Sequence, residues 1–333
     1  LGRIEKIFFG YSTDDDIRYH AASGGVVTSP VLYMLKRKIV DKVLVVKMEG
    51  FTAKALLAGN KDDVISAQGS IYFKMFSLRL LPKLLYHLRK GKRVCIVGLP
   101  CQISTLKKVL KDFEDKLYCI GLICNHVNEL WYIGYMLEKY LPRNAKPLAI
   151  GSRKDGWPGE IKITFMLKDK NPAELTVPQY WGLLPSLNIS APLGCLICAD
   201  HLASTADIVV GDAWHPKLVG KNSLGVSIFI VRTTKGLELA KSAIKDGALY
   251  AEEARLRDLL IAQAHGIIEG SQYAPFTQKL LQHRIGAIRE LKEVDKSIIA
   301  LLTIITYHTL KCKTMRRLLS TSLAEKLLNI TLW

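Results

Sequence analysis

Four cysteines are spaced so that their thiols could share one metal centre. Cys195 and Cys198 form a Cys-x-x-Cys pair just after Pro192 and Gly194, and a two-residue spacer lets two sulfurs ligate the same centre. Cys101 and Cys124 stand singly, in Gly98-Leu99-Pro100-Cys101-Gln102 and Gly121-Leu122-Ile123-Cys124-Asn125. Four thiolates suit either zinc or a 4Fe-4S cubane, and spacing alone leaves the two nearly even. Structural zinc more often uses two compact Cys-x-x-Cys knuckles, so two single ligands at strand ends tilt the reading toward a cluster. Cys95 and Cys119 fall inside apolar runs and read as small core residues. Cys312 lies among Lys311, Lys313, Arg316 and Arg317 and reads as a surface bystander, its pKa lowered by basic neighbours and open to oxidation.

The elements that position these thiols follow from hydrophobic pattern. Residues 93–98 (RVCIVG) and 117–123 (LYCIGLI) are continuous apolar runs of the kind buried on both faces of a sheet. Helices are expected at 77–90, 103–110 and 128–140. Strand, helix, strand, helix in that order predicts βαβ units and a mixed, partly parallel sheet flanked by helices, of α/β to α+β class. If the two apolar strands are parallel neighbours, Cys101 and Cys124 emerge together at the carboxyl edge, where open α/β sheets place their ligands. The Cys-x-x-Cys is expected in a loop. Further strands are expected at 4–11, 42–47, 53–58, 206–210 and 227–232, and a helix at 237–245. Asp14, Asp15 and Asp16 are expected in a loop, a helix through residue 38 is expected after Ser23 as its N-cap, and 145–180 should hold a loop and hairpin structure. From about residue 255 the chain reads as helical and basic.

Two glycine-containing segments could also do chemistry. Ser23-Gly24-Gly25 ahead of a helix could offer backbone N–H groups to a phosphate or a flavin ring edge, although such a sequence is more often only a helix start. Gln68-Gly69-Ser70-Ile71-Tyr72 and Gly211-Asp212-Ala213-Trp214 are further polar tight loops. Neither G-x-G-x-x-G after a strand nor a P-loop occurs, so those two nucleotide sites are not supported. The 333 residues carry 47 Lys plus Arg against 30 Asp plus Glu, a net charge of +17, which calls for an acidic partner, anionic lipid or nucleic acid. The basic residues lack the aromatic interleaving of a single-strand binder, which argues against nucleic acid. No secretory signal pattern opens the sequence and no apolar run is long enough to span a bilayer, so a cytoplasmic protein with reduced thiols is expected.

Taken together, the motifs resemble the beta-subunit family of coenzyme F420-reducing hydrogenases and dehydrogenases, which is similar in turn to hydroxymethyl chlorophyll reductase. Ser23-Gly24-Gly25-Val26-Val27-Thr28, Gln68-Gly69-Ser70-Ile71-Tyr72, the two single-cysteine segments, Arg153-Lys154-Asp155-Gly156-Trp157-Pro158-Gly159 and Cys195 to Cys198 through Ala206-Asp207 to Gly211-Asp212 carry the resemblance, over about residues 7 to 235. The resemblance implies FAD and one 4Fe-4S cluster. It assigns Cys101, Cys124, Cys195 and Cys198 as cluster ligands, and Ser23, Gly24, Gly25, Val26, Thr28, Gln68, Gly69, Ser70 and Tyr72 as flavin contacts. Many members have Lys where this chain has Ile71. No catalytic residue is assigned.

A flavin exchanging hydride and a cluster moving single electrons imply an electron-transfer oxidoreductase subunit. Its partners would be a deazaflavin coenzyme or another hydride carrier, and ferredoxin or other redox subunits of a larger complex. Two competing readings are a zinc-stabilised, non-enzymatic binding protein and a reductase of another organic substrate. The expected organisation is a flavin and iron–sulfur domain over 1–250 and a helical C-terminal region over 251–333. Residues 297–307 (SIIALLTIITY) are too short to span a bilayer and, with the basic 311–317 that follows, suit a core helix, partner docking or peripheral contact with an inner membrane face.

Overall fold

The computed structural model describes residues 1–275 apart from 76, 152, 154, 168–170, 178–187, 269 and 272–273. Cys312 and the apolar segment at 297–307 therefore lie outside the described residues. In chain order the elements are β1 (Lys6–Ser12), α1 (Asp15–Tyr19), α2 (Thr28–Lys36), β2 (Lys42–Glu49), β3 (Thr52–Ala58), α3 (Lys61–Ile65) and α4 (Leu81–Arg89). Next come β4 (Val94–Gly98), α5 (Pro100–Val109), β5 (Leu117–Leu122), α6 (Trp131–Tyr140), β6 (Lys146–Ile150), β7 (Lys162–Met166) and β8 (Ala173–Thr176). The chain continues through α7 (Leu193–Leu196), β9 (Ile208–Asp212), β10 (Ser227–Val231), α8 (Thr234–Lys245), β11 (Leu249–Glu253), α9 (Leu256–Ala262) and α10 (Ala264–Ile268).

Eight strands form one mixed sheet in the order β11-β1-β10-β9-β5-β4-β2-β3. The central strands β9, β5, β4 and β2 run parallel, and both flanks are antiparallel. The apolar runs read as buried strands are β4 and β5, and they pair in parallel with Gly98 opposite Gly121. Leu84, Leu88, Ile103, Leu106 and Leu259 from α4, α5 and α9 pack on one face. Val31, Met34, Leu239 and Ala243 from α2 and α8 pack on the other. This is the expected sheet flanked by helices, and it explains the uncharged, largely apolar make-up of β4 and β5. A separate antiparallel sheet, β6-β7-β8, buries Ile150 and Ile163 against Tyr132, Ile133 and Met136 of α6.

Several local expectations are corrected. Asp14 begins a helix instead of lying within a loop: its carboxylate accepts from the N–H groups of Asp16 and Ile17 and caps α1, as aspartate at an N-cap does. Ser23 is not the cap of α2, which starts at Thr28 after Val27 without a side-chain cap. Helix α5 begins at Pro100, so Cys101 lies in its first turn. The Cys-x-x-Cys is half helical, since α7 includes Cys195. Strand β11 pairs with β1, so the main sheet crosses residue 250, and helix resumes at Leu256. Among the described residues no helix is long and apolar enough to cross a membrane.

Candidate functional site

The parallel pairing of β4 and β5 delivers Cys101 and Cys124 to one edge of the sheet, three and two residues past the last strand positions Gly98 and Leu122. Gln102 fixes the turn into α5 by accepting the Leu99 N–H at 3.0 Å. Cys124 is anchored through its own N–H to the His201 carbonyl at 3.0 Å, which ties the end of β5 to the loop carrying the Cys-x-x-Cys. Within that loop the Cys198 N–H donates to the Cys195 carbonyl at 3.1 Å and the Cys195 N–H to the Pro192 carbonyl at 2.8 Å, a turn that draws the two thiols together.

Burial raises the Cys101 thiol pKa, and the nearby Cys198 raises it further. Burial also raises Cys195, which feels Cys101 and Cys198, while the Val127 N–H and the Lys74 ammonium pull it down. Cys198 is likewise raised by burial. Three of the four thiols therefore sense one another electrostatically, on an edge where the fourth also emerges. Among the described residues, no three His, Cys, Asp or Glu side chains converge on a single ion. An all-sulfur donor set drawn from three segments fits a thiolate-held cluster.

Cys95 and Cys119 belong elsewhere. Both are fully buried within β4 and β5, in core clusters on different sides of the sheet. Burial raises Cys95 well above the usual thiol range and pushes Cys119 up to about 12.

The two glycine segments meet through a residue that sequence reasoning did not single out as a site. The Arg153 guanidinium, 2% exposed, donates to Asp212 at 2.5 and 3.1 Å, to the Tyr72 hydroxyl at 3.1 Å and to the Ala22 carbonyl at 2.5 Å. One side chain thus joins the Ser23-Gly24-Gly25 loop, the Gln68 to Tyr72 segment and the carboxyl end of β9. Burial works against its charge, but Asp212 and Tyr72 more than offset this and its pKa is raised. The Trp157 indole N–H donates to the same Asp212 carboxylate at 2.8 Å. Trp157 packs at a tilt, ring centroids 5.3 Å apart, on Trp214, whose ring is partly exposed and lies 5.4 Å from the Arg153 guanidinium carbon. The signal available in the sequence was only that Arg153 and Asp212 each lie in a short polar loop.

The individual predicted contacts divide. Ser23 Oγ donates to the Val226 carbonyl at 2.8 Å, and the Gly24 N–H donates to Ser227 Oγ at 3.0 Å, so these groups are spent inside the protein. A Cβ on Gly24 would stand 2.6 Å from the Gly10 carbonyl and 2.7 Å from the Ser227 nitrogen, and Gly25 has φ +77°, so close packing and a left-handed turn both demand glycine here. The Val26 side chain is in the core and Thr28 opens α2. The Gln68 amide donates to the Ile17 carbonyl at 3.0 Å, Gly69 has φ +92°, and Ser70 bridges to Arg153. Burial raises the pKa of Tyr72. Beyond Tyr72 the same segment reaches the cysteines: Lys74 influences Cys195, and Met75 Sδ lies 3.8 Å from the Gln102 amide. The Ser23 to Gly25 loop, the Gln68 to Tyr72 segment and the exposed Trp214 ring thus lie around one buried Arg153–Asp212 pair.

Comparison with known proteins shows what the chain is similar to. Two family models of the coenzyme F420 hydrogenase/dehydrogenase beta subunit match the chain, the N-terminal one over residues 7–81 and the C-terminal one over residues 91–256. The beta subunit of coenzyme F420 hydrogenase from Methanococcus voltae is 26% identical over 260 residues, covering 75% of this chain and 84% of that protein. An uncharacterized protein of Methanocaldococcus jannaschii is 25% identical over 244 residues, or 70% of this chain, and the chain spans only 62% of that relative's length. In fold, the chain resembles one from the F420-reducing NiFe hydrogenase complex of Methanosarcina barkeri, with a TM-score of 0.62 and 20% identity over 88% of this chain and 97% of that one.

Proposed function

Because the chain belongs to the coenzyme F420 hydrogenase/dehydrogenase beta-subunit family, a family of oxidoreductases, we propose that it is a flavin- and 4Fe-4S-dependent electron-transfer subunit. It exchanges hydride with coenzyme F420 and single electrons with a cluster chain, ferredoxin or a partner subunit. The observation that carries this reading is the convergence of six separated motifs on the carboxyl edge of one sheet, through the parallel β4–β5 pair and the Arg153 clasp. Cys101, Cys124, Cys195 and Cys198 would hold the cluster, and the Ser23–Gly25 and Gln68–Tyr72 segments would hold FAD. When bound, a flavin accepts a hydride and a cluster relays single electrons, so the pair converts one form of reducing power into the other.

The chain's own residues prepare that edge. Arg153 locks the two glycine segments at a fixed separation, so a ligand between them meets a preorganised surface. Lys74 beside Cys195 favours negative charge on sulfur, as a thiolate ligand requires. Trp157, packed on Trp214, donates its indole N–H to the Asp212 carboxylate and so holds that acid in place for Arg153.

Anaerobic purification of the full chain with iron, acid-labile sulfide, zinc and flavin analysis tests the reading. About four irons and four sulfides per chain, bound FAD and reduction of coenzyme F420 by a low-potential donor are expected. A colourless protein carrying one zinc would overturn it, and turnover confined to another organic substrate would replace coenzyme F420 as the hydride partner.

A further inference from the structure

A second concave region lies at the other end of the sheet. Ile208, which opens β9, pairs with Val231, which closes β10. The segments before β9 and after β10 therefore leave at the amino edge of the parallel strands, opposite the edge that leads to Cys101 and Cys124. Between these segments and α5 is a cleft of about 390 Å³, within the size range of small-molecule sites. Four cations line it, Arg3, Lys107, Lys108 and Arg232, with Glu114 the one acidic lining residue; Arg3 is paired with Glu5, and the neighbouring Asp207 also acts on Lys107.

Arg232 is the telling residue. It is 1% exposed, yet its Nη atoms donate only to carbonyls, those of Leu1 at 2.8 Å, Arg3 at 2.5 Å and Leu202 at 2.8 Å, and its buried Nε–H finds no acceptor. Arg153, equally buried, has Asp212 to neutralise it. Carbonyls orient a guanidinium but do not cancel its charge, and a buried charge without a counterion is costly. Burial accordingly pulls the Arg232 pKa down, and Asp200 partly offsets this. Lys107 is partly engaged, 3.1 Å from Glu114 and 3.2 Å from the Thr205 carbonyl, whereas Lys108 is exposed at the cleft rim. The Ser104 and Thr205 side chains add hydroxyls. A buried guanidinium, two ammonium groups and hydroxyls around an open cleft match a compact dianion, since arginine and lysine together satisfy both the oxygen geometry and the charge of a phosphate.

We propose that this amino-edge cleft binds the phosphate group of a small phosphorylated molecule, at a site separate from the cysteine edge and independent of the redox reading. The test titrates inorganic phosphate and glycerol 3-phosphate into the purified full chain by calorimetry, with chloride at matched ionic strength as the control. Saturable binding of both is expected, the monoester at least as tight as free phosphate. Lys108→Glu should weaken both about tenfold. Lys83→Glu, the same charge change on the exposed Lys83 of α4, should leave them unchanged, and both variants should keep the native circular dichroism. Absence of saturation, equal heats from chloride, or equal weakening by the two variants would overturn the proposal.

Discussion

Strands β4 and β5 each carry one cysteine inside the sheet and one just beyond its carboxyl edge, and the two positions have opposite characters. Cys95 and Cys119 are sealed in apolar packing, where burial holds the thiols protonated. Cys101 and Cys124 lie six and five residues further along their runs, on a helix start and a loop held by the Gln102 side chain and the His201 carbonyl. The interior is kept by packing, which any small apolar residue satisfies approximately. The edge is kept by a few polar clasps, and there the thiols are not sealed into apolar packing. Position relative to the strand end, more than residue type, separates the two pairs.

The sharpest way to break this contrast is at the clasp. Asp212→Ala leaves the Arg153 guanidinium buried without its counterion, and a loss of about 3–5 kcal/mol of stability is expected, read from urea unfolding. Arg153→Lys should also weaken flavin retention, because an ammonium cannot serve Asp212, Tyr72 and Ala22 at once. Next, Cys198→Ala and Cys101→Ala should lose most bound iron, measured after anaerobic purification, while changing the unfolding midpoint of the cofactor-free chain little. Cys95→Ala and Cys119→Ala should do the reverse, retaining iron at a cost of about 1 kcal/mol for the lost packing.

The contrast can also be read in pH. Cys119 has a folded-state pKa of about 12 against an ordinary value of 9.0, so the folded chain binds the proton more tightly. Its contribution is fully present below pH 9 and lost as pH rises toward 12. Wild type should therefore lose stability faster than Cys119→Ala across that window, and equal slopes would show that the buried thiol contributes nothing.

Much of this was legible in the sequence. Continuous apolar runs announce β4 and β5 because both faces of a central parallel strand are covered, and their parallel pairing follows from the intervening helix. Edge strand β11 was missed because Tyr250, Glu252 and Glu253 face solvent and leave no apolar pattern. The acidic run at Asp14 to Asp16 looks like a loop by composition, while its first member caps a helix. The Arg153–Asp212 clasp was out of reach for a different reason. Its partners lie 59 residues apart, in segments whose meeting depends on the completed sheet, and no local periodicity records such an encounter. Ser23-Gly24-Gly25 reads from its residues as a helix start that could also face a ligand, and the structure adds a packing demand against Gly10 and Ser227.

Strand β9 acts as a ruler. Asp207, immediately before it, accepts from the Cys119 N–H at 2.7 Å and the Thr233 hydroxyl at 2.8 Å, and Asp212 closes it on Arg153. At about 3.3 Å per residue the two carboxylates stand roughly 17 Å apart, and pairing with β5 on one side and β10 on the other prevents the strand from sliding. A one-residue insertion would turn one of the two carboxylates to the wrong face. Surrounding loops are free to lengthen, but the span between these two acids is not.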